Sequence, residues 1–275
     1  IIGRDAIENV YDINIKNCKF DGVQKQPVKI TGKTRNVKFD NLYINGSLVL
    51  NAGEQPYKNY SEWLTHSEMK RVPHSYLLDF SKKPKWSYVM GIEMEGMLDT
   101  YEAYKEGNES ILEYLKEYPK TMIDEKGNIT GYKYEDFNLD NVRTAKFILR
   151  MHNIAPTKGT EKALKTLFKQ LVNQPRTQEG VYWHKAIYAN QVWLDGIFMG
   201  LPFYCNYAVQ TMKPKKAEKY LNDAVDQMIK TDYRTYDEKT QLWKHAWDET
   251  HEQFWADKEN GKSQHTWARA LGWYV

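Results

Sequence analysis

From about Tyr57 to the end of the chain, apolar residues recur with the period of an α-helix, and this pattern constrains the fold most. Three amphipathic stripes stand out, at 111–118, 163–172 and 217–228. The first of them follows Asn108, a typical N-cap residue. Further helices are predicted at 58–71, 86–105, 141–152, 190–210 and from 263 onward. Some eight helices joined by short Gly-, Pro- or Asn-containing loops, with no strands between them, predict a bundle, solenoid or toroid.

Residues 1–50 differ, because their apolar residues largely alternate with polar ones and Asn and Gly stand at the corners. The pair Asn9-Val10 recurs as Asn36-Val37, 27 positions later. Short strands that repeat at such intervals favour terminal coils of a parallel β-helix, and a small β-hairpin unit is the alternative. Residues 51–60 are the predicted linker to a helical domain at 57–275.

The composition excludes several classes of protein. With 41% hydrophobic and 27% charged residues, no apolar run of membrane-spanning length and a net charge of +3, we expect neither a membrane nor a nucleic-acid partner. Cys18 and Cys205 fall in different predicted domains, so we expect no disulfide, no metal site and no cofactor. The chain begins with IIGRDAIENV and ends with ALGWYV, which indicates a fragment cut at both ends. The compartment, periplasm or cytoplasm of a bacterium, and the oligomeric state stay open.

Residues 174–200, QPRTQEGVYWHKAIYANQVWLDGIFMG, concentrate the side chains that a sugar site needs. Flat aromatic rings cover the apolar faces of a pyranose, cations hold a carboxylate, and a partly desolvated acid delivers a proton. The segment collects all three kinds, in Arg176, Trp183, His184, Lys185, Trp193 and Asp195. The alternative is a surface loop that runs into an ordinary amphipathic helix.

Further blocks of this kind are WSYVMG at 86–91, YEDFNLDNV at 134–142, and KHAWDET and SQHTWARALGW within 244–273. The ordered set YEDFNLDNV, QPRTQEGVYWHK, QVWLDGIFMG, HAWDE and WARALGW resembles glycoside hydrolase family 105, the unsaturated rhamnogalacturonyl hydrolases, over about 55–275. The resemblance implies a mainly α, (α/α)6 barrel of six helical hairpins, truncated at its C-terminus. Residues 1–50 resemble, over a shorter and less distinctive stretch, the closing coils of a family 28 polygalacturonase.

The resemblance also implies an oligosaccharide substrate with a 4,5-unsaturated uronic acid at its non-reducing end, as lyases leave on pectin. Asp195 matches the catalytic acid of the family and Asp140 the second carboxylate. Two carboxyl groups placed close together resist double ionisation, so that one proton is retained. Arg269 or Lys185 would pair with the uronate. The other matching positions in the cavity are Tyr88, His184, Trp193, His245 and Trp267.

Several of these residues also have ordinary structural interpretations. Without the resemblance, Asp140 would be a helix N-cap, His245 a structural histidine and Trp267 part of a core. Asp248 and Glu249 are interpreted as a solvated or helix-capping pair outside the catalytic set. At the level of function, the alternatives are an unsaturated glucuronyl hydrolase of family 88 acting on glycosaminoglycan fragments, an inactive carbohydrate-binding barrel, and a sugar epimerase or isomerase.

Overall fold

A computed structural model describes residues 12–24, 28, 36–51, 57 and 59–275. The chain divides into two compact units, Ile1–Leu64 and Thr65–Val275. The first contains strands β1 (Ile13–Phe20), β2 (Val37–Ile44) and β3 (Ser47–Leu48). The second is helical and carries the candidate site.

Strands β1 and β2 pair in parallel, whereas β2 and β3 form an antiparallel pair. Ile13 pairs with Val37, so equivalent residues are not 27 positions apart as predicted. Asn41 donates to Asn17 across the pair at 2.9 Å, a separation of 24 positions. The residues Asn9 and Val10 on which the longer spacing relied lie outside the described part of the chain.

The described residues form eight α-helices, which confirms a mainly helical protein. They are α1 (Tyr60–Arg71), α2 (Tyr88–Ala103), α3 (Glu109–Met122), α4 (Asp140–Ile154), α5 (Lys158–Asn173), α6 (Leu194–Thr211), α7 (Pro214–Thr235) and α8 (Ala268–Tyr274). Short 3₁₀ helices lie at Ser75–Leu77 and Tyr134–Asp136. Among the described residues, no helix is long and apolar enough to cross a membrane.

The helices of the second unit form two layers. In the first layer, α2 packs against α4, α4 against α6, and α6 against α8. In the second, α3 packs on α2, α5 on α4 and α7 on α6, so that successive helices form hairpins. Helix α6 is apolar around most of its circumference because it is enclosed, while α5 and α7 are amphipathic because one side faces solvent.

Glycines allow neighbouring first-layer helices to approach closely. A Cβ at Gly91 on α2 would lie 2.8 Å from the Cα of Thr144 on α4. On α6, a Cβ at Gly196 would lie 3.1 Å from Leu139, the residue before α4, and one at Gly200 would lie 3.3 Å from it. Larger residues at these points would push apart the helix ends that carry the site.

The prediction that no strands lie between the helices is wrong. Residues predicted as the start of a helix at 190 form β4 (Gln191–Trp193), which pairs antiparallel with β7 (Ala246–Asp248). A hairpin of β5 (Tyr236–Asp237) and β6 (Leu242–Trp243) follows α7, and α8 begins at Ala268 rather than 263. Strands of two or three residues are too short to show a period, and β4 finds its partner far away in sequence.

Asn108 precedes α3 as predicted, but its side chain does not cap the helix. Its amide nitrogen donates to the Tyr104 carbonyl at 2.7 Å, and its oxygen lies 2.6 Å from Nε2 of His66. The Asn108 side chain therefore bonds Tyr104 and His66, which precede α3 in the sequence, and does not cap the helix as predicted.

Candidate active site

The starts of the first-layer helices meet at one end of the helical unit. Trp86 Nε1, just before α2, donates to the Asn141 carbonyl in the first turn of α4 at 2.8 Å. The Leu139 N–H, just before α4, donates to the His184 carbonyl at 3.1 Å. The Leu194 N–H at the start of α6 donates to the His245 carbonyl at 3.0 Å. Backbone contacts thus bring four distant sequence blocks together.

Asp140 is the first residue of α4, and its carboxylate faces the loop that precedes β4. The Oδ2 atom lies 2.7 Å from Lys185 Nζ, and Oδ1 lies 3.4 Å from His184 Nε2. Asn138 Oδ1 accepts a hydrogen bond from the Asp140 N–H at 3.0 Å. The side chain of Asn138, and not that of Asp140, therefore bonds a backbone N–H at the start of α4. The N-cap interpretation of Asp140 is therefore wrong, and its carboxylate is available to the site.

His184 lies between the two aspartates and is only 3% exposed. Burial lowers the pKa of its imidazole to about 4, although Asp140 acts in the opposite direction, so the ring is neutral at neutral pH. The ring stacks on Trp193, with centroids 5.0 Å apart. A Cβ at Gly196 would lie 2.9 Å from Nδ1, which explains why α6 has a glycine there. Nδ1 has no hydrogen-bond partner.

Asp195 lies in the first turn of α6 and is 5% exposed. Its Oδ1 accepts a hydrogen bond from Arg269 Nε at 2.9 Å, whereas its buried Oδ2 has no hydrogen-bond partner among the residues that the structure describes. Arg269 itself is half exposed, and its guanidinium lies 5.2 Å from the ring centroid of Trp267. The site therefore holds a buried carboxyl oxygen without a protein partner next to an accessible cation.

Aromatic rings line this arrangement. Trp193 stacks on Tyr188 at 5.3 Å with almost parallel planes and meets Trp267 edge-on at 5.8 Å. Trp267 stacks on His245 at 3.8 Å. Flat rings at right angles form a corner of the kind that holds a sugar ring.

His245 has a structural partner as well as an aromatic one. Its Nδ1 lies 2.7 Å from Ser263 Oγ, and burial lowers the pKa of its ring to about 4. His245 therefore has a structural hydrogen bond and also stacks on Trp267 in the candidate site.

The structure brings most of the predicted site residues together, and Tyr188 joins them. Tyr188 was missed, although its place in the loop between His184 and Trp193 was a usable signal. Tyr88 begins α2 and packs against the helical core. Among the described residues, Tyr88 forms no hydrogen bond with Asp140 or Asp195.

Two other polar residues of the conspicuous blocks serve the fold. Arg176 forms a bidentate pair with Asp223 on α7, at 2.6 and 2.8 Å, rather than joining the site. Asp248 is fully buried, not solvated, and accepts the N–H groups of Thr250, Glu252 and Gln253. Among the described residues, no group of three His, Cys, Asp or Glu side chains is placed to hold a metal ion.

Residues 60–275 match the sequence profile of Glycosyl Hydrolase Family 88. The chain belongs to this family. A family 105 glycoside hydrolase from C. acetobutylicum ATCC 824 has 34% identical residues and a TM-score of 0.70 over 79% of this chain and 57% of its own. The predicted resemblance to family 105 is thereby confirmed. The resemblance of residues 1–50 to family 28 stays a prediction.

Two further proteins are similar to this chain. The unsaturated rhamnogalacturonyl hydrolase YesR of Bacillus subtilis (strain 168) is 25% identical over 216 residues, 74% of this chain and 54% of YesR. A family 88 glycosyl hydrolase from Bacteroides vulgatus, at 19% identity and a TM-score of 0.51, shares the fold over 78% of this chain and 59% of its own. The chain thus spans somewhat more than half the length of these relatives.

Proposed function

We propose that this chain carries the catalytic residues of a hydrolase that removes 4,5-unsaturated uronic acid from the non-reducing end of lyase-generated rhamnogalacturonan oligosaccharides. The observation that carries the proposal is the buried Oδ2 of Asp195, which has no protein partner and lies beside an accessible arginine. The printed name of the YesR relative supports the substrate class.

In the proposed reaction, Asp195 donates a proton to C4 of the vinyl ether, which leaves an oxocarbenium ion at C5. A general acid must be neutral before it donates. The uronate of the substrate would compete with Asp195 for Arg269 and release the Asp195 carboxyl from the hydrogen bond that Arg269 Nε donates. Arg269 would then hold the uronate with its planar guanidinium.

Water adds to C5 in the second step and gives up a proton to a carboxylate. Asp140, held by Lys185 and next to the neutral His184, is the proposed group that orients this water. The resulting C5 hemiketal opens, the bond between C1 and the aglycone breaks, and one water molecule is consumed overall. Trp193, Trp267 and Tyr188 would pack against the sugar rings.

The first test follows loss of the ultraviolet absorbance of the conjugated enol ether in unsaturated rhamnogalacturonan disaccharide. Asp195→Asn keeps the side-chain shape but has no carboxyl proton, so kcat should fall at least about 100-fold. Asp226→Asn is the matched control, because Asp226 is exposed on α7 and pairs with Lys230. Normal turnover in Asp195→Asn would refute the assignment of the acid.

The family 88 profile makes unsaturated glucuronyl substrates the second candidate. Comparing kcat/KM for unsaturated rhamnogalacturonan and unsaturated chondroitin disaccharides separates the two. A clear preference for the chondroitin disaccharide would replace rhamnogalacturonan by glycosaminoglycan fragments. Binding of both without loss of absorbance would favour an inactive carbohydrate-binding protein.

Arg269→Ala tests the uronate clamp. Arg269 is half exposed, so its loss should raise KM about 10-fold or more with little effect on the unfolding temperature. Arg150→Ala is a control for the loss of an arginine, because Arg150 lies towards the end of α4 that is remote from Asp140. It pairs there with Asp99 and Glu102 of α2. An unchanged KM in Arg269→Ala would assign the clamp to another residue.

We also propose that the two layers of helices are part of a closed (α/α)6 barrel, and that β1 and β2 are coils of a parallel β-helix. The alternating hairpins of α2 to α7 support the first proposal. The parallel pairing of β1 with β2 and the Asn17–Asn41 hydrogen bond support the second. A crystal structure of the protein tests both.

A further inference from the structure

Two glutamines at the C-terminal end of α5, Gln170 in its last turn and Gln174 directly after it, lie beneath the candidate site without touching its surface. Gln170 is fully buried and Gln174 is 3% exposed. Both belong to the second layer of helices, whereas the aspartates of the site belong to the first. Buried amides must satisfy all their donors and acceptors, so the partners of these two side chains are informative.

Gln174 joins the two segments that deliver the polar residues of the site. Its Nε2 donates one hydrogen bond to the Phe137 carbonyl at 2.6 Å and the other to the Trp183 carbonyl at 2.9 Å. Phe137 lies three residues before Asp140, and Trp183 lies directly before His184. One amide group therefore joins the two segments from below, in addition to the backbone hydrogen bonds that Leu139 donates to His184 and Ala186 donates to Asp136.

Gln170 holds Gln174 in the orientation that this role requires. Gln170 Nε2 donates to Gln174 Oε1 at 3.1 Å and to the Asn138 carbonyl at 3.3 Å. Its Oε1 accepts the Tyr132 hydroxyl at 2.7 Å. A reversed Gln174 amide would place its oxygen against two carbonyl oxygens, so only one orientation satisfies the network.

The segments held in this way include a residue in a costly backbone conformation. Phe137 has a φ of 41°, in the left-handed region that a non-glycine residue rarely occupies. It persists only where the surroundings determine it, and here its carbonyl oxygen is held by Gln174. The next residue, Asn138, bonds the Asp140 N–H, so the effect reaches the start of α4.

We propose that Gln174, oriented by Gln170, is a positioning residue that sets the distance between Asp140 and the His184–Lys185 pair. This inference rests on the proposed function for its kinetic consequence but not for its geometric one. Without the two donated bonds, the backbone hydrogen bonds from Leu139 to His184 and from Ala186 to Asp136 remain, but the buried carbonyls of Phe137 and Trp183 take up water and the distance between Asp140 and Lys185 is less tightly fixed.

The test compares Gln174→Met with Gln227→Met. Both replace a buried glutamine by an apolar side chain of similar length, but Gln227 on α7 bonds the Tyr182 N–H and Asp223 and touches only one of the two segments. At a temperature where both variants are folded, kcat on the unsaturated disaccharide should fall about 10- to 100-fold in Gln174→Met, with KM within about threefold. Gln227→Met should keep kcat.

A second readout does not depend on activity. The ring proton signals of His184, identified by their loss in His184→Gln, are followed by NMR as the pH is varied. In the unaltered protein the pKa is expected near the value of about 4 that burial imposes. In Gln174→Met, water entry should move it towards its ordinary value, whereas Gln227→Met should leave it in place.

The double variant Gln170→Met/Gln174→Met completes the experiment. If Gln170 acts through Gln174, the fall in kcat is no larger in the double variant than in Gln174→Met alone. An unchanged kcat and unchanged His184 titration in folded Gln174→Met would overturn the proposal, as would equal losses in Gln227→Met. If no unsaturated uronide is turned over but the His184 pKa moves only in Gln174→Met, the proposed function fails and the positioning role stands.

Discussion

Replacing Gly91 by alanine tests whether α2 and α4 are held at a separation that only glycine permits. The added Cβ would lie 2.7 Å from Thr144 Oγ1 and 2.8 Å from Thr144 Cα. Because the second atom belongs to the backbone, a rotamer change cannot relieve the contact, and the helices must separate by about half an ångström. Overpacking of this kind costs about 3 kcal/mol at the upper end of its usual range.

The same substitution also has a favourable part. Alanine is better than glycine inside a helix by about 1 kcal/mol. The net loss of unfolding free energy for Gly91→Ala is therefore about 2 kcal/mol. For a domain of this size, that corresponds to a fall of about 4–8 °C in the unfolding temperature.

Gly96 provides the matched control on the same helix. A Cβ there meets nothing within 4 Å, so Gly96→Ala should stabilise the protein by about 0.5–1 kcal/mol. Tryptophan fluorescence during thermal unfolding is a suitable assay, because all nine tryptophans except Trp63 lie in the helical unit. Equal unfolding temperatures for the two variants would refute the argument from close approach.

Two further predictions concern buried ionisable groups. Folded-state pKa values of about 4 for His184 and His245, against 6.5 in the unfolded chain, mean that the unfolded chain binds more protons between those limits. Stability should therefore be complete above pH 6.5 and fall as the pH decreases to 4. Denaturant titrations should show a shallower decrease for His245→Gln. Arg176→Lys should lower the unfolding free energy by about 1–3 kcal/mol, because lysine cannot form the bidentate pair with Asp223. Its kcat and KM on the disaccharide should stay normal, and a changed KM would return Arg176 to the sugar site.

The sequence predicts the helices well where their pattern is regular and local. The stripes at 111–118, 163–172 and 217–228 correspond to α3, α5 and α7. The start of α6 was placed too early because the pairing of β4 with β7 depends on residues more than 50 positions away. Helix α8 was also placed too early, because the residues before it belong to a loop that bonds β7: the Ser263 N–H donates to the Ala246 carbonyl.

The site shows the same division between local and distant information. Asp195, Asp140, His184 and Lys185 were predicted as site residues from the ordered blocks, and the structure places them together; their roles stay proposals. Arg176 looked equally suitable by chemistry, but its partner Asp223 lies 47 positions away. Gln174 stands at the start of the most conspicuous stretch, yet nothing about a glutamine indicates which carbonyls it will bond.

The loop that carries Lys185 and Tyr188 has fixed ends and an exposed tip, so its tip can change in sequence without disturbing the contacts of the site. Its ends are fixed by backbone hydrogen bonds, His184 to Gln191 and Ala186 to Asp136, while Ile187 between them is 78% exposed. Changes at the loop tip therefore leave the helices and both aspartates in place. Under the proposed function, substitutions at the tip would change the contacts to the aglycone, while the residues that hold the fold and both aspartates stay unchanged.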